Sequence, residues 1–413
     1  MYGQDRTQEH GLLLRWLLEV IRTERVEGII IAGDVFDCAN PPQSALRQYY
    51  DFLGEVIALQ CHALIIGGNH DSGQMLNAPR DLLRSLGRIH VHGVAADDPR
   101  ESLIRWPSAQ EPEVVLCACP FLREGDLRRS AVAETQRDVR QRLRAGLLAH
   151  YAALRAASNG YRQAGVPVIA TGHLTVSGTA TGEGEREIHL GAGDLVSGAD
   201  LSDPSPEESQ AGGVSGFHYV ALGHIHRAQT VGNKEHIRYS GSPIPLSFSE
   251  AEDHKQVVLL DTLRADAHRG TEATIHIRSI AVPTWRRLLR WSGTLNEVCE
   301  AIRGFQPTDG ELEAWADVRV ESDLAPQVVD ASLDTALAGK ALRILRRRRI
   351  EALTPVEQPA FAEMRIDLHE LTPEDVFTQK LADEGLVADS EDVQRLRLTF
   401  AELLEKHRQA AAR

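Results

Sequence analysis

The sequence predicts a layered α/β fold flanked by helices, because apolar strand-like runs alternate with helix-like runs over the first two-thirds of its 413 residues. Hydrophobic residues make up 42% of the chain and charged residues 25%, as in ordinary globular domains rather than disordered chains. Forty-five basic residues stand against 59 acidic ones, giving a net charge of −14. Any binding to nucleic acid must therefore rest on local basic patches, bound cations or a basic partner.

The elements of the first region follow one another in a regular order. Apolar residues recur at helical spacing after Thr7, which is predicted to cap the first helix. An apolar strand over 26–32 comes next, then a helix opened by Pro41 and Pro42, and then a buried strand over 62–66. The remaining predicted elements are a long helix over 131–157 and strands over 113–119, 168–171, 218–222, 237–239, 256–261 and 273–280.

The composition changes after about residue 280 and predicts a second, smaller module. Its pieces read as strand–helix–strand–helix–strand over 286–291, 295–302, 314–320, 326–338 and 342–350. We expect a core domain over 1–280, a small α/β domain over 281–367 and a helical tail over 368–413. The two short amphipathic helices of the tail either pack on their own domain or dock on a partner protein. The Ser-, Pro- and Gly-rich stretch over 202–216 is predicted to be a flexible insertion.

Signals for export and membrane insertion are not evident in the sequence. No apolar run approaches the ~20 residues of a membrane-spanning helix, and the chain opens on the polar run MYGQDRTQEH. The five cysteines are scattered, and Cys117 and Cys119 lie in a strand-like run without a second cysteine pair. We expect reduced thiols, no zinc site and a cytoplasmic protein.

Four segments share one design, in which an apolar strand runs into a turn that carries metal-ligand side chains. The carboxyl ends of strands in an open α/β sheet meet at one cleft, and a glycine before each group lets the backbone turn sharply. A single histidine in such a turn is usually an ordinary hydrogen-bonded residue, so the four segments indicate a metal centre only together. They are IAGDVFD over 31–37, GGNHD over 67–71, TGHLT over 171–175 and LGHIH over 222–226.

The residue types in these turns suit a pair of divalent cations. The Asp34 carboxylate can bridge two ions, and Asn69 offers an oxygen ligand without adding negative charge to a phosphate site. His173, His224 and His226 supply nitrogen ligands, which suit Mn, Fe or Zn better than Mg or Ca. Two cations about 3.5–4 Å apart can hold a phosphate diester, activate a water and stabilise the leaving oxygen.

The residues that follow Asn69 suggest a proton donor. An imidazole of near-neutral pKa can protonate or orient a leaving group, and His70 is our candidate for that role. Asp71 either orients His70 or is an ordinary turn aspartate, and the second interpretation is the stronger one.

The extended strings around these turns carry a family resemblance. They resemble the calcineurin-like metallophosphoesterase family, and within it bacterial nuclease subunits, over nearly the whole chain. The strings are AGDVFDCANPP over 32–42, GGNHDS over 67–72, TGHLTVSG over 171–178, YVALGHIH over 219–226, SGSPIPLSF over 240–248 and LTPEDVF over 371–377.

The resemblance implies a β-sandwich flanked by helices and assigns roles to the site residues. Asp34 resembles the bridging ligand, and His70 resembles the catalytic histidine. Asn69, His173 and His224 resemble the ligands of one ion, and His226 resembles a ligand of the other. The resemblance further implies two ions, most often Mn²⁺, a nuclease activity on DNA ends and hairpins, a capping role for the small domain, self-dimerisation, and a partner subunit that hydrolyses ATP. The chain itself has no GxxxxGK[ST] phosphate loop.

One departure from the family pattern concerns the first metal motif. The family opens with a strand that ends in Asp-x-His, and the segment from Met1 to Asp5 matches the stretch just downstream of that motif. We expect a chain start placed about fifteen residues too late, as judged from the family pattern. As written, the chain is expected to be impaired in metal binding and in folding, and restoring the upstream codons should recover nuclease activity.

The strongest basic run is Arg346–Arg349, with Arg343 nearby. Side chains alternate between the two faces of a strand, so only about half of these arginines can face one partner. A solvated edge strand guarded by charge and a DNA contact both remain open. Trp285 and Trp291 either stack on DNA or fill a core. Two other functions also remain open for the whole chain: a phosphatase or phosphodiesterase acting on a small molecule, and a non-catalytic scaffold subunit that holds an ATPase on DNA.

Overall fold

The computed structural model of the chain describes residues 1–127, 136–180, 196–204, 216–265, 272–350 and 400. Residues 1–351 group into one compact unit. Its core is a sandwich of two sheets with helices on both outer faces, so the predicted layered α/β fold is confirmed. The predicted tail over 368–413 lies outside the described residues except for Phe400, and so does most of the predicted insertion over 202–216.

The first sheet has three parallel strands and two long helices on its outer face. Apolar side chains of both helices pack on alternate residues of the strands. The helices are amphipathic, because only the face that covers the sheet is apolar. The strands are β1 (Gly28–Ala32), β2 (His62–Ile66) and β3 (Ile89–His92), and the helices are α1 (Thr7–Thr23) and α2 (Gln43–Ala58). Strand β1 is an edge strand whose five residues are all only partly buried, although its sequence GIIIA is apolar throughout.

The second sheet has six strands in the order β4–β5–β6–β7–β9–β8 and is covered by one long helix. Its inner face packs against the inner face of the first sheet through residues such as Leu64, Leu116 and Ile169. The strands are β4 (Leu103–Trp106), β5 (Val114–Cys117), β6 (Val168–His173), β7 (Tyr219–Gly223), β8 (Gln229–Val231) and β9 (Lys234–Tyr239). The long helix is α6 (Gln136–Gln163), which contacts the short helices α5 (Glu124–Leu127) and α7 (Gly198–Ser202). The other two short helices, α3 (Gly73–Asn77) and α4 (Arg80–Ser85), contact β3 of the first sheet.

An antiparallel hairpin and a small parallel sheet follow the sandwich along the chain. The small module has the strand–helix–strand–helix–strand order that the sequence predicts. The hairpin is β10 (Gln256–Leu263) and β11 (Thr274–Ala281). The module is β12 (Leu288–Thr294), α8 (Leu295–Gly304), β13 (Ala314–Glu321), α9 (Pro326–Leu337) and β14 (Leu342–Ile350).

A buried ion network joins the first helix to the small module. The carboxylate of Glu9, which is 1% exposed, accepts hydrogen bonds from Arg6 at 2.6 and 2.9 Å and from Arg286 at 3.3 Å. The Arg286 guanidinium also lies over the Trp315 ring, 4.0 Å from its centroid. The buried Glu9 carboxylate thus lies between the guanidinium groups of Arg6 and Arg286 and links these two parts of the compact unit.

The arginine run lies on β14, the edge strand of the small sheet, and Arg347 and Arg348 form ion pairs within the same module. Arg347 contacts Asp330 at 3.2 Å and Asp334 at 2.5 Å on helix α9. Arg348 contacts the buried Asp317 of β13 at 2.5 Å. Trp285 and Trp291 both pack against hydrophobic clusters. Trp285 lies edge-on to Trp16, and Trp291 packs on the core of the small module.

Several predicted boundaries differ from the structure. Helix α1 begins at Thr7 itself, with Arg6 at the capping position and no side-chain cap. Helix α6 begins at Gln136, and 131–135 lie outside the described residues. Strands β3, β4 and β8 are not predicted from the sequence, because runs of only three or four residues are too short to identify a strand. The five cysteines are free thiols, as expected.

Candidate metal centre

The four predicted turns lie at the carboxyl ends of strands β1, β2, β6 and β7. The two sheets approach closely there, and glycines make the approach possible. A Cβ at Gly33, where φ is +91°, would overlap the His173 ring, and a Cβ at Gly223 would overlap the carbonyl oxygen of Ala32. These two positions therefore need glycine for space, and Gly33 needs it also for its backbone conformation.

Three of the predicted ligands form one cluster. The nearest ligand atoms of Asp34, His173 and His224 all lie within 4.8 Å of one another. The Asn69 side-chain oxygen lies 3.0 Å from His173 Nε2 and 3.2 Å from His224 Nδ1, so it joins the same cluster. Both histidines are buried, at 2% and 7% exposure. The structure thus brings together the four side chains that the resemblance assigns to one ion and its bridge.

The hydrogen bonds of His173 fix which of its nitrogens faces the cluster. Its Nδ1 lies 2.8 Å from the carbonyl oxygen of Ala32, which can only accept, so Nδ1 carries the proton. In the neutral ring Nε2 then carries a lone pair and no proton, and it lies 3.1 Å from the Asp34 carboxylate. Two acceptors at this distance repel unless a cation or a proton lies between them. The donor set therefore fits a divalent ion held by Asp34, His173, His224 and Asn69.

The electrostatics of the cluster favour neutral imidazole beside an ionised carboxylate. Burial, reinforced by the neighbouring His173, lowers the pKa of His224 to about 3. Burial raises the pKa of Asp34, but the contact with the His173 ring and a hydrogen bond from the His70 amide outweigh it and leave that pKa below its usual value. Asp34 and His224 also have positive φ angles, +49° and +93°, a conformation that Asp and His adopt at some cost.

Asp71 ties the first two turns together. Its buried carboxylate accepts hydrogen bonds from the backbone amides of Val35, Phe36 and Gly68 at 2.8–3.1 Å. Burial raises the pKa of Asp71 despite these three bonds. The His70 ring is bonded instead to the carbonyl oxygen of Asp37, through Nδ1 at 2.9 Å. Asp71 therefore acts as a turn aspartate, the stronger of the two interpretations, and His70 keeps Nε2 for other contacts.

His226 lies beside the cluster and has a different partner. Its Nδ1 is 3.1 Å from the carboxylate of Glu250, a residue that is 4% exposed. Glu250 also accepts from Lys255 Nζ at 2.6 Å and from Ser242 at 3.1 Å. Burial raises the pKa of Glu250, but its bonds from His226 and Lys255 bring it down to about 2. A permanently charged Glu250 keeps the proton on His226 Nδ1, so Nε2 is the ring nitrogen that carries the lone pair a metal would need.

Sequence reasoning missed Glu250. It follows the string over 240–248 that carries part of the family resemblance, and a lone glutamate near a turn is not distinctive. Of the two ions expected, one has a full set of clustered ligands in the described part of the chain. The residues assigned to the other are the shared Asp34 and His226.

Comparisons with known proteins agree with this geometry. The model of calcineurin-like phosphoesterases matches residues 10–228, and that of the type 5 capsule protein repressor C-terminal domain, SbcD_C, matches residues 284–385. The chain belongs to the calcineurin-like phosphoesterase family. Among its curated relatives is the D subunit of the nuclease SbcCD of Escherichia coli K12, 31% identical over 98% of this chain and 94% of the relative. The protein of the same name from Rhodobacter capsulatus is 33% identical over 91% of this chain and 89% of the relative.

This calcineurin-like phosphoesterase is thus similar to SbcCD D subunits from end to end. A third, from Bacillus subtilis, is 29% identical over 79% of this chain and 76% of the relative. A solved family 1 β-glucosidase from Thermotoga maritima superposes with a TM-score of only 0.19 at 9% identity over 83% of this chain and 77% of that one, and nothing follows from it. Within the described residues, no helix has both the length and the apolar character that crossing a bilayer requires.

Proposed function

We propose that this phosphoesterase is the D-type nuclease subunit of an SbcCD complex and hydrolyses DNA phosphodiesters with two divalent ions, Mn²⁺ in the cell. The convergence of Asp34, Asn69, His173 and His224 in one cluster is the observation that carries the proposal. The family match and the nearly full-length similarity to SbcCD D subunits support the choice of substrate.

Each side chain of the centre has a role that its contacts support. When bound, divalent ions supply an activated water and neutralise the charge of the phosphodiester. Asp34, Asn69, His173 and His224 would hold one ion, and Asp34 and His226 would contribute to the other. Since His70 Nδ1–H donates a hydrogen bond to the Asp37 carbonyl, His70 Nε2 is the atom that would move a proton to or from the leaving oxygen.

The wider assignment rests on the family resemblance. The proposed activities are double-strand 3′-to-5′ exonuclease and hairpin endonuclease, in DNA repair, recombination and replication in the cytoplasm. ATP hydrolysis belongs to the SbcC partner, because this chain has no phosphate loop of its own. The small domain over 281–367 would cap the site, the tail over 368–413 would dock on SbcC, and the protein would self-dimerise.

A cleavage assay tests the proposal and separates it from the two other functions. The chain with its upstream codons restored is incubated, with and without SbcC, with a DNA hairpin and with p-nitrophenyl phosphate, in Mn²⁺ or in EDTA. We expect Mn²⁺-dependent cleavage of the hairpin that exceeds hydrolysis of the small ester. The reverse preference would indicate a small-molecule phosphatase. Binding to SbcC and DNA without cleavage would indicate a scaffold and contradict the proposal.

A further inference from the structure

A cavity of about 280 Å³ opens between the edges of the two sheets. We call it the edge cavity. Strand β3 of the first sheet and helix α4 form one wall, and strand β4 of the second sheet with the following turn forms the other. None of the metal-centre residues lines it, so it does not belong to the site described above.

The strand register explains why polar side chains lie inside the sandwich at this place. His90 pairs with Leu64 and His92 with Ile66, so the two imidazoles lie on the face that packs against the second sheet. On the neighbouring strand β2 the same face carries the apolar Leu64 and Ile66, but also His62, which lines the cavity. Burying a polar ring between the sheets costs free energy unless the ring gains a partner, and strand β3 carries two such rings, His90 and His92.

Several polar groups of the edge cavity lack partners within the described protein, although Arg105 donates a hydrogen bond to the Tyr161 hydroxyl at 3.2 Å. His92 is 5% exposed and makes no side-chain hydrogen bond to any residue that the structure describes. His62, which is 6% exposed, bonds Arg88 through Nε2 at 3.1 Å, but its buried Nδ1 has no partner there. Arg80 and Arg84 of helix α4 line the cavity without a hydrogen bond or ion pair to the described chain. These groups are arranged as donors for a ligand.

The charge of the lining selects the class of ligand. Arg80, Arg84 and Arg105 face a single carboxylate, that of the exposed Glu101, in a protein that is strongly acidic overall. Burial, with help from nearby arginines, lowers the pKa of His92 to about 4, so at neutral pH its ring donates a hydrogen bond without carrying charge. The arginines repel cations. In the described part of the chain, only the Asp34 cluster gathers metal-ligand atoms.

We propose that the edge cavity binds a phosphate group, either as inorganic phosphate or as a phosphate monoester. Guanidinium groups match the oxygens of phosphate in geometry and charge, and neutral imidazole N–H groups complete its hydrogen bonds. The volume of about 280 Å³ is large enough for a phosphate group and for a small phosphate monoester. The proposal does not rest on the proposed nuclease activity.

Calorimetry on the metal-free full chain tests this site. EDTA keeps phosphate from binding through ions at the metal centre, and ionic strength is held constant. The test variant is Arg80→Gln with Arg84→Gln. The matched control is Arg15→Gln with Arg47→Gln, which removes two arginines, both exposed, from helices α1 and α2. Because both pairs of arginines lack ion-pair partners within the described chain, both variants should fold, and circular dichroism checks this.

We expect the wild-type chain and the control to bind phosphate with a dissociation constant of about 1 mM or lower. The Arg80/Arg84 variant should bind at least about tenfold more weakly. Adenosine monophosphate is titrated in parallel: tighter binding than phosphate would identify a monoester as the ligand, and equal binding would identify free phosphate. No binding to the wild-type chain, or equal binding to the Arg80/Arg84 variant, would overturn the proposal. So would binding of a single-stranded oligonucleotide alone, since the cavity would then be part of a nucleic-acid contact.

Discussion

The metal cluster and the arginine strand β14 both concentrate charged or polar side chains, and the structure treats them in opposite ways. In the cluster, the Asp34 carboxylate and His173 Nε2 are two acceptors 3.1 Å apart, because the His173 proton is on Nδ1 and is donated to the Ala32 carbonyl. On β14, by contrast, Arg347 and Arg348 each form ion pairs with carboxylates of neighbouring elements. Convergent groups without mutual compensation indicate a bound ligand, whereas compensated groups indicate a structural role.

Removing the bridging carboxylate should have the largest effect. Asp34→Asn keeps the shape of the side chain and its tolerance of positive φ but removes the charge that binds the ions. We expect Mn²⁺-dependent cleavage to fall by at least about 10³, equivalent to several kcal/mol of transition-state stabilisation. Asp37→Asn, an exposed residue of the same turn, is the matched control and should retain activity. An Asp34→Asn protein with a tenth of wild-type activity would contradict the assigned site.

Glu250→Gln tests whether the cluster depends on a supporting carboxylate. The amide holds the His226 proton less firmly and loses the ion pair with Lys255, so Mn²⁺ affinity or activity should fall about 10–100-fold. The pKa of about 2 lies below the ordinary value of 4.5, so Glu250 stays ionised throughout the assay range. The deficit should therefore be the same from about pH 6 to 9. The control is the exposed Glu252→Gln, and a deficit that changes with pH would contradict this role.

Asp317→Asn tests the compensated region. The buried carboxylate faces Arg348 at 2.5 Å and Arg346 at 4.0 Å. Because both guanidinium groups are about a third exposed, we expect a loss of about 2 kcal/mol in the free energy of unfolding, less than for a fully buried pair. Urea unfolding measures it, with Glu321→Gln at the exposed end of the same strand as control. Unchanged stability would mean that this pairing is not structural.

Arg347→Ala should have the smallest effect. Its partners Asp330 and Asp334 are exposed, so the free energy of unfolding should change by less than about 1 kcal/mol. Since its charge is already paired, DNA affinity should also change less than about twofold. The salt dependence of DNA binding is the sharper measurement. A decrease of about one in that slope would show that Arg347 contacts a phosphate, and the comparison between the two regions would fail.

The sequence predicts the cluster well because its geometry is set locally. Asp34, Asn69 and His224 follow apolar strands within three residues and His173 ends one, and the ends of parallel strands are brought together by the sheet itself. The partners of the other groups depend on the path of the chain. Glu250 reaches His226 only after the turn that follows β9, and Asp317 is 31 residues away from Arg348.

The edge cavity was missed for a related reason. The segment Ile89–His92 alternates apolar and imidazole side chains, which is the period of a strand with one polar face. That face would ordinarily be assigned to solvent. Its burial depends on β4, another short strand, whose position opposite β3 no local pattern indicates.

The Asp71 carboxylate accepts hydrogen bonds from backbone amides of both turns, so the Asp34 turn and the Asn69 turn are held together as one unit. The backbone conformation of both turns is then set by the polypeptide itself rather than by bound metal ions. Chelation should strip the ions without loosening these turns, and re-addition should restore the centre at the rate at which the ions shed water, with no refolding delay.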